Sequence, residues 1–335
     1  MSLRAETLTR SIEARERAPQ AHRRPPATVI AAVSPAKAQV TDTRLTAVVV
    51  NYNAGDLLTE CVRALLASAL RVDVVVVDNA SDDDSLATLE TACDGDDRLT
   101  VIRRGDNGGF AVAVNEGLRA TDAPWVAVIN PDCIVRPDTL ATLLANAADE
   151  RTGMVGGLLL NPDGSEQRGC RRQMPTPGNT LARVLGLHRL LGRRWDFNLT
   201  GSPLPEEPVE IGAISGALMV ARRDACAEVG PLDEGYFLHC EDLDWCRRFC
   251  DSGWRIRFVP DAIAVHHQGA CSRRAPLKVL WYKHLGMVRY FRKFHGRGIA
   301  ALVVSGVIWG RFGVAATARI AAVGLRRVTA AAQRS

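Results

Sequence analysis

The sequence predicts an α/β fold: a mostly parallel central sheet with flanking helices, followed by a C-terminal helical extension. Three observations carry this. Short runs of β-branched residues recur, apolar almost without interruption, as in strands covered on both faces. Segments of helical character separate them. After Pro276 the apolar period becomes helical and stays so.

The runs are LTAVVV (45–50), VDVVVV (72–77), LTVIRR (99–104) and WVAVIN (125–130), with helical segments at 55–68, 83–92 and 109–120. Alternation of this kind implies parallel strands with right-handed crossovers. Ligands in such sheets bind beyond the carboxyl ends of the strands. That directs attention to Asn51-Tyr52-Asn53, Asp78-Asn79-Ala80-Ser81, Gly105 to Phe110 and Asn130-Pro131-Asp132. GMVGGLLL (153–160) reads as a further strand. Residues 161–208, rich in Gly, Pro and Arg, read as a long, partly mobile excursion. Strand texture returns over 209–222, a helix is expected over 242–251, and RIRFVP (255–260) reads as the last strand.

From Pro276, the residues Leu277, Leu280, Trp281, Leu285, Val288, Phe291 and Phe294 line one side of a helix. Residues 299–310 are apolar, but twelve residues fall short of the ~20 needed to span a bilayer. If the segment stays helical, Arg297, Arg311, Arg319 and Arg326 share a sector of about 80°. This is the pattern of an interfacial helix, the alternative being a helix packed on the protein's own core. Residues 1–43 lack any sustained period and read as a disordered basic arm with no secretory signal.

Composition narrows the class. The 335 residues are 47% hydrophobic and 24% charged, which excludes a fibrous or wholly disordered chain. Nine irregularly spaced cysteines argue for reduced thiols and against a secreted disulfide scaffold. The net charge of +5 is unevenly spread. Residues 262–335 hold 13 Lys+Arg and no acid, whereas residues 44–261 hold 22 basic and 33 acidic side chains. An acidic body with a basic tail suggests that the tail meets something anionic.

Several residues at strand ends have chemistry to offer. NYNAGD after the first strand lacks the glycine pattern of a dinucleotide site. Asp78, opening DNASDDD, can accept hydrogen bonds from a ribose or base, or simply belong to a helix-capping cluster. Asp132 in NPD can hold Mg²⁺ or Mn²⁺ beside a diphosphate, or close an Asx-turn. Glu241-Asp242-Leu243-Asp244 crowds carboxylates on one turn, which suits general-base work or a favourable helix start. The pair His266-His267 can ligate metal, bind phosphate or pack.

In order, NYN, VVVVDNASDD, GDNGGFAVAVNEG, INPD, GAISGALMV, GPLDEGYFLHCEDLDWCRR and HHQGACS resemble the inverting nucleotide-sugar glycosyltransferases of family two, which have the GT-A fold. The likeness covers about residues 44–275, and DNGGFAVAVNEG and NPD look most like the rhamnosyltransferase branch. Three parts follow: the arm 1–43, a GT-A domain 44–275 and a basic amphipathic region 276–335. The resemblance implies donor contacts from Asn51, Asn53, Asp78, Asn107, Asn115 and Asn130. It implies a metal site at Asp132 and His266, and Asp242 as catalytic base. Asn130 stands where the family's metal motif has its first acid, so one negative ligand is missing.

The expected function is transfer of a sugar from a dTDP- or UDP-sugar, best guess dTDP-rhamnose, with Mg²⁺ or Mn²⁺. The acceptor would be a saccharide or a polyprenyl-diphosphate-linked sugar in cell-envelope synthesis. The protein would be cytoplasmic and peripheral on the inner face of the membrane, docked by its tail on an anionic surface, with no nucleic-acid partner. Two rivals stand beside this: a nucleotidyltransferase, and a non-catalytic scaffold recruited to membranes.

Overall fold

The computed structural model describes residues 44–269, 275–296 and 298–332. The expected disordered arm, residues 1–43, lies outside them, as do the side chains of Arg297 and Arg326. In chain order the first half comprises β1 (Leu45–Asn51), α1 (Asp56–Leu66), β2 (Val72–Asp78), α2 (Ser85–Ala92), β3 (Leu99–Arg103), α3 (Phe110–Arg119), β4 (Trp125–Ile129), β5 (Cys133–Val135), α4 (Thr139–Ala145) and β6 (Thr152–Leu160). The second half comprises β7 (Arg171–Arg172), α5 (Pro177–Val184), α6 (His188–Leu191), β8 (Val209–Glu210), β9 (Ala213–Ile214), β10 (Leu218–Arg222), α7 (Arg223–Val229), α8 (Glu241–Asp251), β11 (Arg255–His266), α9 (Pro276–His295) and α10 (Ile299–Ala332).

The main sheet runs β3-β2-β1-β4-β10-β6-β11-β5, with β8 on β11. The first four strands are parallel, while β10, β5 and β8 pair antiparallel to their neighbours. Every residue of β1 is buried, and the two faces go to different partners. Leu45, Ala47 and Val49 pack with Leu58, Cys61 and Leu65 of α1, whereas Val48 and Val50 pack with Ala111 and Val114 of α3. This period-two division is why residues 47–50 and 74–77 are apolar on both faces. Gly117 lets α3 lie close on the sheet: a Cβ there would stand 2.4 Å from Val48 Cγ1.

Three expectations are corrected. First, the last strand does not stop at 260. It passes a register shift between Val259 and Ile263 and continues to His266. A proline at an irregularity is tolerated where it would break a regular ladder. The irregularity brings the Ala262 carbonyl onto β6, where only Gly157 fits, since a Cβ would lie 2.0 Å from that oxygen. Second, residues 161–208 are folded. β7 pairs with β9, α5 is closed by a Thr176–Asn179 capping box, and Arg171 is buried against Glu166 and the carbonyls of Ser202 and Pro203. Third, the apolar stripe of α9 divides. Val288 and Phe291 form a small core with Val304 and Ile308 of α10, leaving Leu277, Trp281 and Leu285 exposed.

α10 also outlasts the twelve residues read as apolar. Ile299–Arg319 is 21 residues with mean hydropathy 1.8, long and apolar enough to cross a membrane by length and composition. Ala301, Val304, Ser305 and Ile308 on it are nevertheless buried, and the helix packs on α9 and α5. Part of the basic tail is neutralised by the acidic body: Arg289 and Lys293 pair with Asp233, and Lys293 also reaches Asp244.

Candidate active site

The carboxyl ends of β1, β2 and β4 and the far end of β11 open onto a cleft of about 660 Å³. Among the expected residues, Asn107, Asn130, Asp132, His266 and Asp242 line it. Asn51, Asn53, Asp78 and Asn115 do not.

Asn51 is fully buried, and its amide donates to Asp78 Oδ1 at 2.8 Å and Ser85 Oγ at 2.8 Å. Asp78 also accepts from Ser81 Oγ at 2.6 Å. Asn51 therefore fixes the β1 and β2 ends to each other and is withdrawn from the cleft surface. Asn53, in the left-handed region at φ 56°, accepts from the Asp82 amide through Oδ1 at 2.8 Å. Asn115 is likewise withdrawn. Its Nδ2 donates to the Leu232 carbonyl and to Glu234, its Oδ1 accepts from the Leu232 amide, and it is 1% exposed. With donors and acceptor consumed, it staples α3 to the 232–234 loop. The surface these residues support is presented by Tyr52, 40% exposed, with Asn79 and Asn107. Asn79 Nδ2 donates to Asn107 Oδ1 at 2.9 Å. Gly109, at φ 95°, allows the Phe237 carbonyl to approach and accept from the Phe110 amide at 2.9 Å. A side chain at 109 would stand 2.6 Å from that oxygen.

The second cluster is built by the extension of β11. His266 faces Asp132, with Nε2 to Oδ1 at 3.0 Å, and Asn130 Nδ2 is 3.3 Å from the same ring nitrogen. Behind the ring, Gln167 Oε1 lies 2.6 Å from Nδ1 while Gln167 Nε2 donates to the His266 carbonyl. The glutamine oxygen can only accept, so Nδ1 carries the proton. Nε2 then turns a lone pair toward Asp132 Oδ1, an arrangement that suits a cation shared between the two. Among the described residues no three His, Cys, Asp or Glu side chains form a metal cage. Two ligands fit an ion that keeps waters and shares substrate phosphates. Gln167 was not foreseen; it holds the histidine ring in place as partners of metal-ligating histidines do.

The third cluster lies at the start of α8. Asp242 Oδ2 accepts from Arg172 Nη2 at 2.6 Å and from the Gly216 amide at 3.2 Å, and Oδ1 from the Leu243 amide at 2.8 Å. Burial pushes this carboxyl up, but the Arg172 charge and these hydrogen bonds outweigh it and hold Asp242 below the usual carboxylate range. Its neighbour goes the other way. Burial, and then the Asp242 charge, push Glu241 up to about 8, and Glu241 Oε2 has no hydrogen-bond partner. The turn before them is strained: His239 and Cys240 are consecutive left-handed residues at φ 70° and 74°. Burial and the nearby Lys283 lower His239 to about 4, so it faces the cleft uncharged. Gly286 lets α9 press onto this turn, since a Cβ there would lie 2.6 Å from the His239 carbonyl.

Residues 46–230 match the model of glycosyl transferase family 2. The chain belongs to glycosyl transferase family 2. The glycosyltransferase is 33% identical over 258 residues to the N-acetylglucosaminyl-diphospho-decaprenol L-rhamnosyltransferase of Mycobacterium tuberculosis, covering 72% of this chain and 81% of that one. It is 25% identical to rhamnosyltransferase WbbL of Escherichia coli over 66% of this chain and 82% of the relative. In three dimensions it resembles a mannosyltransferase of Pyrobaculum calidifontis solved with GDP-Man and Mn²⁺, with a TM-score of 0.54 at 18% identity, covering 84% and 79% of the two chains. The fold of this glycosyltransferase is thus GT-A, as the motifs implied. With the family established, the nucleotidyltransferase and scaffold readings fall away.

Proposed function

We propose that this glycosyltransferase moves rhamnose from dTDP-rhamnose to a sugar carried on a polyprenyl diphosphate, with inversion at the anomeric carbon. One observation supports the chemistry above all. Asp242 is an ionised carboxylate held in the cleft that Asp132 and His266 also line, with its protonated neighbour Glu241 beside it. The transferred sugar is carried over from the rhamnosyltransferase relatives and the acceptor class from that of Mycobacterium tuberculosis.

In this reading Tyr52, Asn79 and Asn107 receive the nucleoside, with Asp78 and Asn53 behind them shaping the base and ribose end. Asn130, Asp132 and His266 face the donor diphosphate. Asp132 and His266 would hold Mg²⁺ or Mn²⁺, which when bound supplies charge neutralisation for the departing diphosphate. Asp242 takes the proton from the acceptor hydroxyl as its oxygen attacks the anomeric carbon opposite the leaving group. Arg172 and the Gly216 amide fix the carboxylate so that it is charged and aimed before the acceptor arrives. One displacement completes the reaction.

The acceptor class implies work at a membrane, and we assign the protein to the cytoplasmic face as a peripheral enzyme. The basic, partly apolar α9 and α10 support this reading. The test is a panel of nucleotide sugars offered with GlcNAc-diphospho-lipid, following product and released nucleoside diphosphate. Rhamnosyl transfer from dTDP-rhamnose alone is expected. Preferred use of another donor would overturn the sugar assignment, and transfer to free GlcNAc as efficient as to the lipid-linked form would overturn the acceptor class.

A further inference from the structure

Four cations of the C-terminal helices meet at one wall of the cleft. Lys278 and Lys283 come from α9, Arg311 and Arg319 from α10. Elsewhere on α9, Arg289 and Lys293 are paired with Asp233. At this wall none has a carboxylate partner among the described residues: Arg319 donates only to the Pro276 carbonyl, at 2.7 Å, and Lys278 lies over the rings of Phe237 and Tyr282. Lys283 is accessible from the cleft, yet the protein around it displaces enough water to push its ammonium below the usual lysine range. Arg311, Arg168 and Arg172 add repulsion. Like charges gathered without counter-ions disfavour the empty site, and a polyanion relieves that cost. The same cleft is also lined by Asp132, Glu241 and Asp242.

An apolar surface adjoins the cations. Leu277, Trp281 and Leu285 repeat every fourth residue of α9 and are 41%, 44% and 43% exposed. Trp281 is itself fixed in position, its ring 4.9 Å from that of Trp309 and 5.5 Å from that of Phe312. Leu277, Trp281 and Leu285 lie outside the cleft lining, with Lys278 at their border and Lys283 on the other side of the helix, so they suit a hydrocarbon tail that leaves the cleft past Lys278 from a charged head held inside.

We propose that Lys278, Lys283, Arg311 and Arg319 form the subsite that binds the diphosphate of an isoprenoid-diphosphate acceptor, and that Leu277, Trp281 and Leu285 receive the first part of its hydrocarbon chain. This rests on the preceding reading for the acceptor class. A diphosphate also occurs in the nucleotide donor, but the donor end of the cleft is built from the β1, β2 and β4 ends, and these cations come from the helices beyond the last strand. Asp242 lines the same cleft, where the acceptor hydroxyl must arrive.

The test is calorimetric binding of three probes, farnesyl diphosphate, inorganic pyrophosphate and dTDP, to the full chain and to the Lys283→Gln/Arg311→Gln variant. Both side chains are exposed, so the fold is retained. Farnesyl diphosphate should bind the unaltered protein more tightly than pyrophosphate and lose about 10–100-fold in affinity in the variant, with dTDP unaffected. A loss confined to dTDP would give the cations to the donor. Unchanged farnesyl diphosphate binding, or none to the unaltered protein, would remove the subsite, and equal affinity for farnesyl diphosphate and pyrophosphate would remove the hydrocarbon contact. These readouts do not need catalysis, so a failure of rhamnosyl transfer leaves them intact.

Discussion

Replacing Arg172 by glutamine removes a cation bonded to Asp242 while leaving the carboxylate its two backbone amides. Both side chains are largely shielded, 12% and 14% exposed, so solvent screens the pair little. An opposite charge at such range depresses a carboxyl by about 1–3 pKa units, each unit corresponding to about 1.4 kcal/mol between the two protonation states. Without Arg172 that depression is lost, and burial acts on Asp242 unopposed by charge. The acidic limb of the kcat/KM profile should therefore move up by about 1–3 pH units. Below the new pKa, activity should fall about tenfold per unit; above it the profile should recover. Arg172→Lys, which keeps the charge, should shift less. Arg172 Nη2 also donates to the Ile214 carbonyl, and breaking a buried pair costs about 3–5 kcal/mol, so circular dichroism and Tm must accompany the profile. A folded Arg172→Gln enzyme whose acidic limb stays where it was would refute Asp242 as the group that titrates in catalysis.

Asp242→Asn should bind donor normally while kcat falls by about 10²–10⁴, and near-normal turnover would sink the base assignment. Calorimetry with Mn²⁺ should show weak binding alone and clear binding with dTDP; Asp132→Asn should abolish the second, and full activity in excess EDTA would shift leaving-group stabilisation to the side chains. Glu241 sets a pH dependence of stability. Its unfolded carboxyl ionises near 4.5 and its folded one near 8, so the folded state loses stability as pH rises through that window. Glu241→Gln should accordingly gain Tm relative to the unaltered protein, increasingly from pH 5 to 8; a constant difference would contradict the burial argument. In Gly117→Ala the added carbon meets Val48 at 2.4 Å. The helix-propensity gain of about 1 kcal/mol opposes overpacking of about 1–3 kcal/mol, so thermal melts should show net destabilisation.

In the proposed function, the three clusters of one cleft divide the labour between them. The nucleoside wall comes from the parallel half of the sheet, whose strands end together because β1, β2 and β4 pair in register. The diphosphate wall depends on β11 passing its irregularity beside Gly157 to reach Cys133, which brings His266 to Asp132. Asp242, the proposed base, is held by Arg172 of β7, from the segment inserted after β6, and α9 presses on the His239–Cys240 turn before it. Sequence change in that inserted segment can therefore alter the base's surroundings without disturbing the nucleotide wall.

What the sequence determined by itself was the set of local facts. Continuous valine runs separated by helical segments dictate parallel strands covered on both faces, and the rule for ligands in such sheets then picks out the loops carrying Tyr52, Asn79 and Asp132. Ordered motifs brought Asp242 and His266 into the same reading. What only the tertiary structure decided were the partners. Gln167 lies 99 residues from His266 and Arg172 lies 70 from Asp242, and neither spacing leaves a periodic trace. Asn51 and Asn115 look like ligand contacts in a linear motif because an asparagine beside a strand end or on a helix can face either way; hydrogen bonds across the fold turned both inward. The charge of the tail was legible, but not its division into cations paired with Asp233 and cations left unpaired at the cleft. That division depends on which face of α9 meets the acidic body, and so on packing between elements far apart in the chain.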